Sequence, residues 1–191
     1  MELLLNIFSA FGLSASAGLN AYIPLLVVGT IAHYFPNSLT LNTPFDLLAN
    51  PWILIVLGVL VIIEMVSDKI PAVNHINDII QTFIRPAAGA VAFAASANVI
   101  TDINPVLALA CGLLVAGSVH TVKAAAVRPA ITAATAGAGT TPTSIAEDII
   151  AFTTSILAIM LPVIAGIILI IALAFLIWWW WRRTNKARAA A

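Results

Sequence analysis

The stretch EMVSDKIPAVNHINDIIQTFIRPA, residues 64–87, is a polar interruption in an otherwise apolar chain. It carries Glu64, Asp68, Lys69, Asp78 and Arg85, five of the sixteen residues Asp, Glu, Lys and Arg in the chain. Within it Val73, Ile76, Ile80, Phe83 and Ile84 recur at helical spacing, with Asn74, Asn77, Asp78 and Gln81 between them. That pattern predicts an amphipathic helix. Bounded by Lys69 and Arg85, it reads as a cytoplasmic elbow lying along a membrane interface.

The rest of the chain explains why an interface is expected. Of 191 residues, 62% are hydrophobic and 8% charged, where a soluble domain carries about a quarter charged residues. So little polar surface cannot cover a water-soluble fold, and the expected class is an all-α integral membrane protein. The lipid bilayer is then its first partner. A net charge of zero argues against nucleic acid as another. The lone Cys111 can form no internal disulfide.

Apolar segments at 3–35, 51–67, 86–101, 105–124, 129–143 and 149–181 predict about six membrane-spanning helices, of which 129–143 is short or re-entrant. Residues 1–181 form a single transmembrane domain, and 182–191 a basic cytoplasmic tail. With six crossings, all eight basic residues fall on one side, as the positive-inside rule requires. Both termini are then cytoplasmic, and the outer loops hold Asp46, Asp102, Glu147 and Asp148. Lys69, Arg85, Lys123 and Arg128 become interfacial anchors, joined by Trp178, Trp181 and Arg182 at the end of the last span. That span is too long for one straight crossing, and Pro162 is the expected kink.

Two stretches suggest an internal repeat. GVLVIIEMVSDK (58–69) aligns with GLLVAGSVHTVK (112–123), and each is followed by an arginine–proline pair, Arg85-Pro86 and Arg128-Pro129. Repeats of this kind frame central sites in transporters.

The segments GLSASAGLNAYIPLL (12–26), Glu64 with SDKIP (67–71), RPAAGA (85–90) and the small-residue region near 130–141 resemble an uncharacterised family of small bacterial membrane proteins, domain of unknown function 4126. The resemblance covers roughly residues 8–165. It implies a multi-pass protein of the bacterial inner membrane and supplies no catalytic residue, substrate or cofactor.

Candidate functional residues follow from polarity stranded in apolar segments. Glu64 and Asp68 are four residues apart and share a helix face, where like charges repel unless a cation intervenes. Either they line a path or they form an ion-pair network with Lys69, Arg85, Lys123 and Arg128. Gly12, Ser16 and Asn20 form a polar stripe ahead of Pro24, which is either a packing seam or the broken helix of a transporter. Asn98, His120 and Thr135 could face the same interior. His75 and Asp78, three residues apart, are candidate metal ligands without a recognised motif.

Three functions compete. A transporter or channel for an ion or small solute predicts a continuous polar cavity past Asn20, Glu64, Asn98, His120 and Thr135. A tightly packed interior in which Asn20 and Glu64 contact only protein would count heavily against that reading. A scaffold, possibly homo-oligomeric, accounts for the surplus of small residues. A membrane metalloenzyme would use the carboxylates and His75. No catalytic residue and no cofactor class is implied.

Overall fold

The structure, a computed structural model, describes residues 2–96 and 104–162, and, further on, 164, 167, 168, 170–172, 174, 175, 177, 178, 181 and 182, with the side chains of 2–4 and 71–76 outside that description. Every regular element among the described residues is helical. They are α1 (Glu2–Leu19), α2 (Tyr22–Tyr34), α3 (Pro51–Ser67), α4 (Pro71–Ser96), α5 (Pro105–Val122), α6 (Arg128–Thr135) and α7 (Thr140–Met160). A 3₁₀ turn, Phe45–Ala49, precedes α3, and a π-helical stretch, Lys123–Val127, joins α5 to α6. Asn–Pro pairs start two of these helices. Asn50 and Asn104 cap α3 and α5 by accepting from Trp52 N and Val106 N, with proline following each cap, where its missing N–H is no loss.

Among the described residues, three helical segments are long and apolar enough to cross a bilayer: Asn77–Ser96, Pro105–Thr135 and Thr140–Met160. Leu5–Leu19, Tyr22–Tyr34 and Pro51–Ser67 are shorter apolar helices.

Segment 3–35 is not one span. It breaks at Asn20–Ala21 into a helical hairpin. Along α1, Ser16 bonds the Ala151 carbonyl and the Ser155 hydroxyl, and Asn20 reaches Asp148. Nearer its start, Asn6 and Ser9 share a cavity of about 170 Å³ with Ser38, Ser96, Ile159 and Pro162. So α1 runs antiparallel to α7. α2 runs back along it: a groove sets Ile23, Val27 and Ile31 beside Asp148, Phe152 and Ile156. Pro24 and the Asn20 amide, which competes for the helix's own donors, account for the break.

Segment 129–143 also departs from expectation. It does not cross. α6 ends at Ala136 (φ 50°), Gly137 (φ 90°) reverses the chain, and Ser144 near the start of α7 returns to bond Asp68 O. Ser144 also accepts from Arg128, at the start of α6. Glu147 and Asp148 are therefore not in an outer loop. They lie at the same end as Lys69, Lys123 and Arg128.

The expected elbow is continuous with the span that follows. α4 runs unbroken through Pro86, because an apolar face on both sides of the proline keeps the helix packed. α1, α4 and α5 meet through small residues. Ser14 donates to Gly112 O, and Gly89 and Gly112 face each other so closely that a Cβ on either would strike the other strand of the seam. Ala10, Ala17, Ala92 and Ala116 are fully buried there. The long last segment does break near Pro162: α7 ends at Met160, and Leu161 (φ −138°, ψ 62°) is not helical.

Candidate functional site

The hairpin tip, the ends of α3 and α5, the middle of α4 and the first turns of α7 converge on one buried cluster of charge. The tip supplies three groups. Asn20 Oδ1 accepts from Tyr22 N and Ile23 N, capping α2, while Nδ2 donates to Asp148. The Ala21 amide donates to both oxygens of Glu64, at 3.0 and 3.3 Å. The positive end of the α2 dipole thus faces a carboxylate. The Leu19 carbonyl, freed at the end of α1, accepts from Lys123 Nζ at 2.8 Å.

Arg85 joins three neighbours. Its Nε and Nη2 donate to Glu64 Oε1 at 3.2 and 2.9 Å, Nη2 reaches Asp68 at 3.4 Å, and Nη1 donates to His120 Nδ1 at 3.2 Å. Guanidinium only donates, so Nδ1 of His120 is the bare nitrogen and Nε2 carries the hydrogen, which faces Thr82 Oγ1. His120 is thereby neutral.

Asp68 is the hub. It pairs with Arg85, Lys123 and Arg128, and Asn77 donates to its other oxygen at 2.7 Å. Burial pushes its carboxyl up, but Lys123, Arg85, Arg128 and the Asn77 hydrogen bond together outweigh it and hold the group below the usual carboxylate range. Arg128 also grips Asp78 with Nη1 and reaches Glu147 with Nη2.

The two repeat copies meet here with matching roles. Lys69 pairs with Asp148 and Lys123 with Glu147, adjacent residues of α7. Arg85 and Arg128, each followed by proline, both bond Asp68.

The structure brings Asn20, Glu64, Asp68 and His120 together. Ser16 lies one helical turn away between α1 and α7, and Thr135 is exposed, bonding Ile131 O and Gly139 N. Asn98 falls outside the described residues, as does the side chain of His75. Asp78 is occupied by Arg128, and among the described residues no group of three or more His, Cys, Asp or Glu is placed to hold a metal. Arg85 and Lys123, expected as interfacial anchors, are 0% and 3% exposed and neutralise carboxylates. Lys69 and Arg128 are mostly covered by the same network. Trp178 and Trp181 are exposed, and Arg182 stacks on Trp178 at 5.1 Å. The cluster's missed members are Glu147, Asp148, Asn77 and Ser144. The lack of a local partner for Lys69 and Lys123 was the signal pointing to them.

Beside the cluster opens a cleft of about 860 Å³, where Asp78, Arg128, Thr132, Thr140 and Thr143 share a mostly apolar lining with Pro129, Ile131 and small residues. Away from it, exposed Trp52, Ile55, Ile62, Phe83, Leu114, Ile149 and Phe152 cover the outer faces of α3, α4, α5 and α7.

An all-helical chain whose apolar helices are exposed outside and joined inside by buried ion pairs has the character of a membrane protein. The chain belongs to a family of unknown function, Domain of unknown function (DUF4126), whose model matches residues 7–182. No curated protein and no solved structure matches it.

Proposed function

We propose that the protein is a multi-pass membrane carrier for a small solute, with the cleft beside Asp78 and Arg128 as its vestibule and the charge cluster as its closed gate. The observation that carries this reading is that the Asp78–Arg128 pair is at once a wall of the cleft and the edge of the cluster. The continuous polar cavity expected of a transport path is not found past Asn20 and Glu64, which counts against transport, sets an open channel aside and leaves the carrier reading resting on the cleft. Asn20 and Glu64 are each 1% exposed and bond to protein groups, and the Ser14–Gly89–Gly112 seam closes the space above them. A cleft that ends on a closed cluster of charge would serve as one side of an alternating-access path. Paired charges suit such a gate, since buried ion pairs add little net stability over apolar packing and can exchange partners. The scaffold reading would need a face covered by protein, whereas the exposed apolar side chains are spread around the helices as lipid contact requires.

In the bilayer, α1 to α5, α7 and the last apolar segment make seven passes. The end holding Lys69, Arg85, Lys123 and Arg128 faces the cytoplasm by the positive-inside rule, the basic tail joins it, and the start of α1 lies outside. This replaces the arrangement with both termini inside.

Purified protein in liposomes, tested for uptake of a panel of radiolabelled ions, sugars and amino acids, should accelerate uptake of one class. Ala133→Trp, which fills the vestibule, should abolish that uptake without unfolding the protein. No uptake above protein-free liposomes for any member of the panel would refute the proposal.

A further inference from the structure

The cluster does not balance its charge. Glu64, Asp68, Asp78 and Glu147 are four carboxylates joined by ion pairs to three cations, Arg85, Lys123 and Arg128, and the adjoining Lys69–Asp148 pair is neutral by itself. His120 adds nothing, because Arg85 donates to its Nδ1. The hairpin tip adds nothing either. It brings the positive end of α2 to Glu64 and the negative end of α1 to Lys123, and these partial charges offset each other. The sum is one excess negative charge on a network that runs from Glu64 at 1% and Arg85 at 0% exposure to Asp78, whose side chain is 23% exposed. Burial penalises such a charge wherever it lies away from water.

A second observation is independent of the count. Gln81 is 2% exposed, and its Oε1 has no hydrogen-bond partner. It lies on α4 one turn after Asn77 and one turn before Arg85, both of which bond Asp68. Its side chain is therefore on the helix face that meets the cluster. A buried carbonyl oxygen needs a donor, yet every lysine and arginine in the cluster is engaged with a carboxylate.

We propose that the cluster binds one exchangeable proton on a carboxyl, that Gln81 Oε1 receives a hydrogen bond from the protonated cluster, and that this proton is the coupling ion of the carrier. The proposal rests on the carrier reading. The balance is simple: one carboxylate and one proton from the vestibule side give one neutral carboxyl, and the excess charge falls to zero. The proton belongs to the cluster as a unit, since groups this close titrate together. It does not settle on His120, where imidazolium would stand 3.2 Å from the Arg85 guanidinium. The groups facing it are Glu64 from α3, Asp68 and Lys69 from the turn after it, Asp78 and Arg85 from α4, His120 and Lys123 from α5 and its extension, Arg128 from α6, and Glu147 and Asp148 from α7.

Infrared spectroscopy of the full chain in lipid nanodiscs tests this without a substrate. At neutral pH the wild type should show one protonated-carboxyl C=O band that shifts in deuterated water and fades as the pH is raised. Gln81→Leu should shift the band, and one of Glu64→Gln, Asp68→Asn, Asp78→Asn, Glu147→Gln or Asp148→Asn should remove it. A wild-type spectrum with no such band at neutral pH, a band unmoved by alkaline pH, or one unchanged in Gln81→Leu would each overturn the proposal. Solute uptake without the band leaves the carrier reading standing and sinks the proton. The band without uptake of any solute sustains the proton site and sinks the carrier.

Discussion

Replacing Arg85 with methionine keeps much of the side chain's volume and removes its charge. Glu64 then loses both guanidinium bonds and retains only the Ala21 amide. Asp68 is better protected, because Lys123, Arg128 and Asn77 still reach it. The damage therefore concentrates on Glu64, 1% exposed, while the cluster's excess charge grows from one to two. Removing one partner of a buried pair destabilises by about 3–5 kcal/mol. Adding Glu64→Gln should recover most of that loss, since the amide oxygen still accepts from Ala21 and no unpaired charge is left. The double variant should lie within about 1–2 kcal/mol of wild type, because neutral replacement of a buried pair is often nearly free. The measurement is a denaturant titration in mixed micelles followed by fluorescence of the chain's five tryptophans. If the two substitutions add to within about 0.5 kcal/mol, as uncoupled sites do, or if Arg85→Met alone is nearly silent, the Arg85–Glu64 pair is not what holds the hairpin tip.

Further expectations concern other parts of the same architecture. Because the Asp68 carboxyl is held below its unfolded value of about 3.9, its contribution to stability is complete above that pH and is lost as the pH falls through the folded value; Asp68→Asn should flatten the acid limb of stability against pH, and an unchanged limb would refute the hub. A Cβ on Gly112 would meet Gly89 O, and Phe93 Cβ at 2.6 Å, so Gly112→Ala should cost about 1–3 kcal/mol by overpacking in the same titration. In a Cys111→Ala background, Asn6→Cys and Ser38→Cys should react with an impermeant thiol reagent from one side of the membrane and Ala138→Cys from the other; labelling of Asn6→Cys and Ala138→Cys from the same side would rule out the hairpin.

The class of fold and the centre of the site are legible in the residues. An apolar chain with Glu64 and Asp68 set four apart near the end of an apolar segment demands cations, and the arginine–proline pairs supply them. The stripe ending at Asn20 ahead of Pro24 allows a packing seam or a broken helix, and the structure has both: Ser16 packs on α7, and the helix breaks after Leu19. Its direction was not legible. Nothing within residues 12–26 distinguishes a kink from a reversal, because the reversal is fixed by contacts of Ser16 and Asn20 with residues more than a hundred positions away. Reading 3–35 as one crossing then forced 129–143 to cross as well, to keep the basic residues on one side, and that pushed Glu147 and Asp148 into an outer loop.

Buried charge constrains the arrangement further. Positive-inside reasoning counts only cations in loops, but Lys69, Arg85, Lys123 and Arg128 flank or lie within apolar helices, where each needs a carboxylate at its own depth. Glu64, Asp68 and Asp78 cannot satisfy all four. Glu147 and Asp148 are adjacent acids in a segment with no basic residue between Arg128 and Arg182, so they are the complement of Lys69 and Lys123 and must share their level. Once those acids are placed beside the lysines, 129–143 cannot reach the opposite face. The segment must turn back, as the left-handed Ala136 and Gly137 make it do. Buried charge thus reports depth in this chain more reliably than the lengths of its apolar runs.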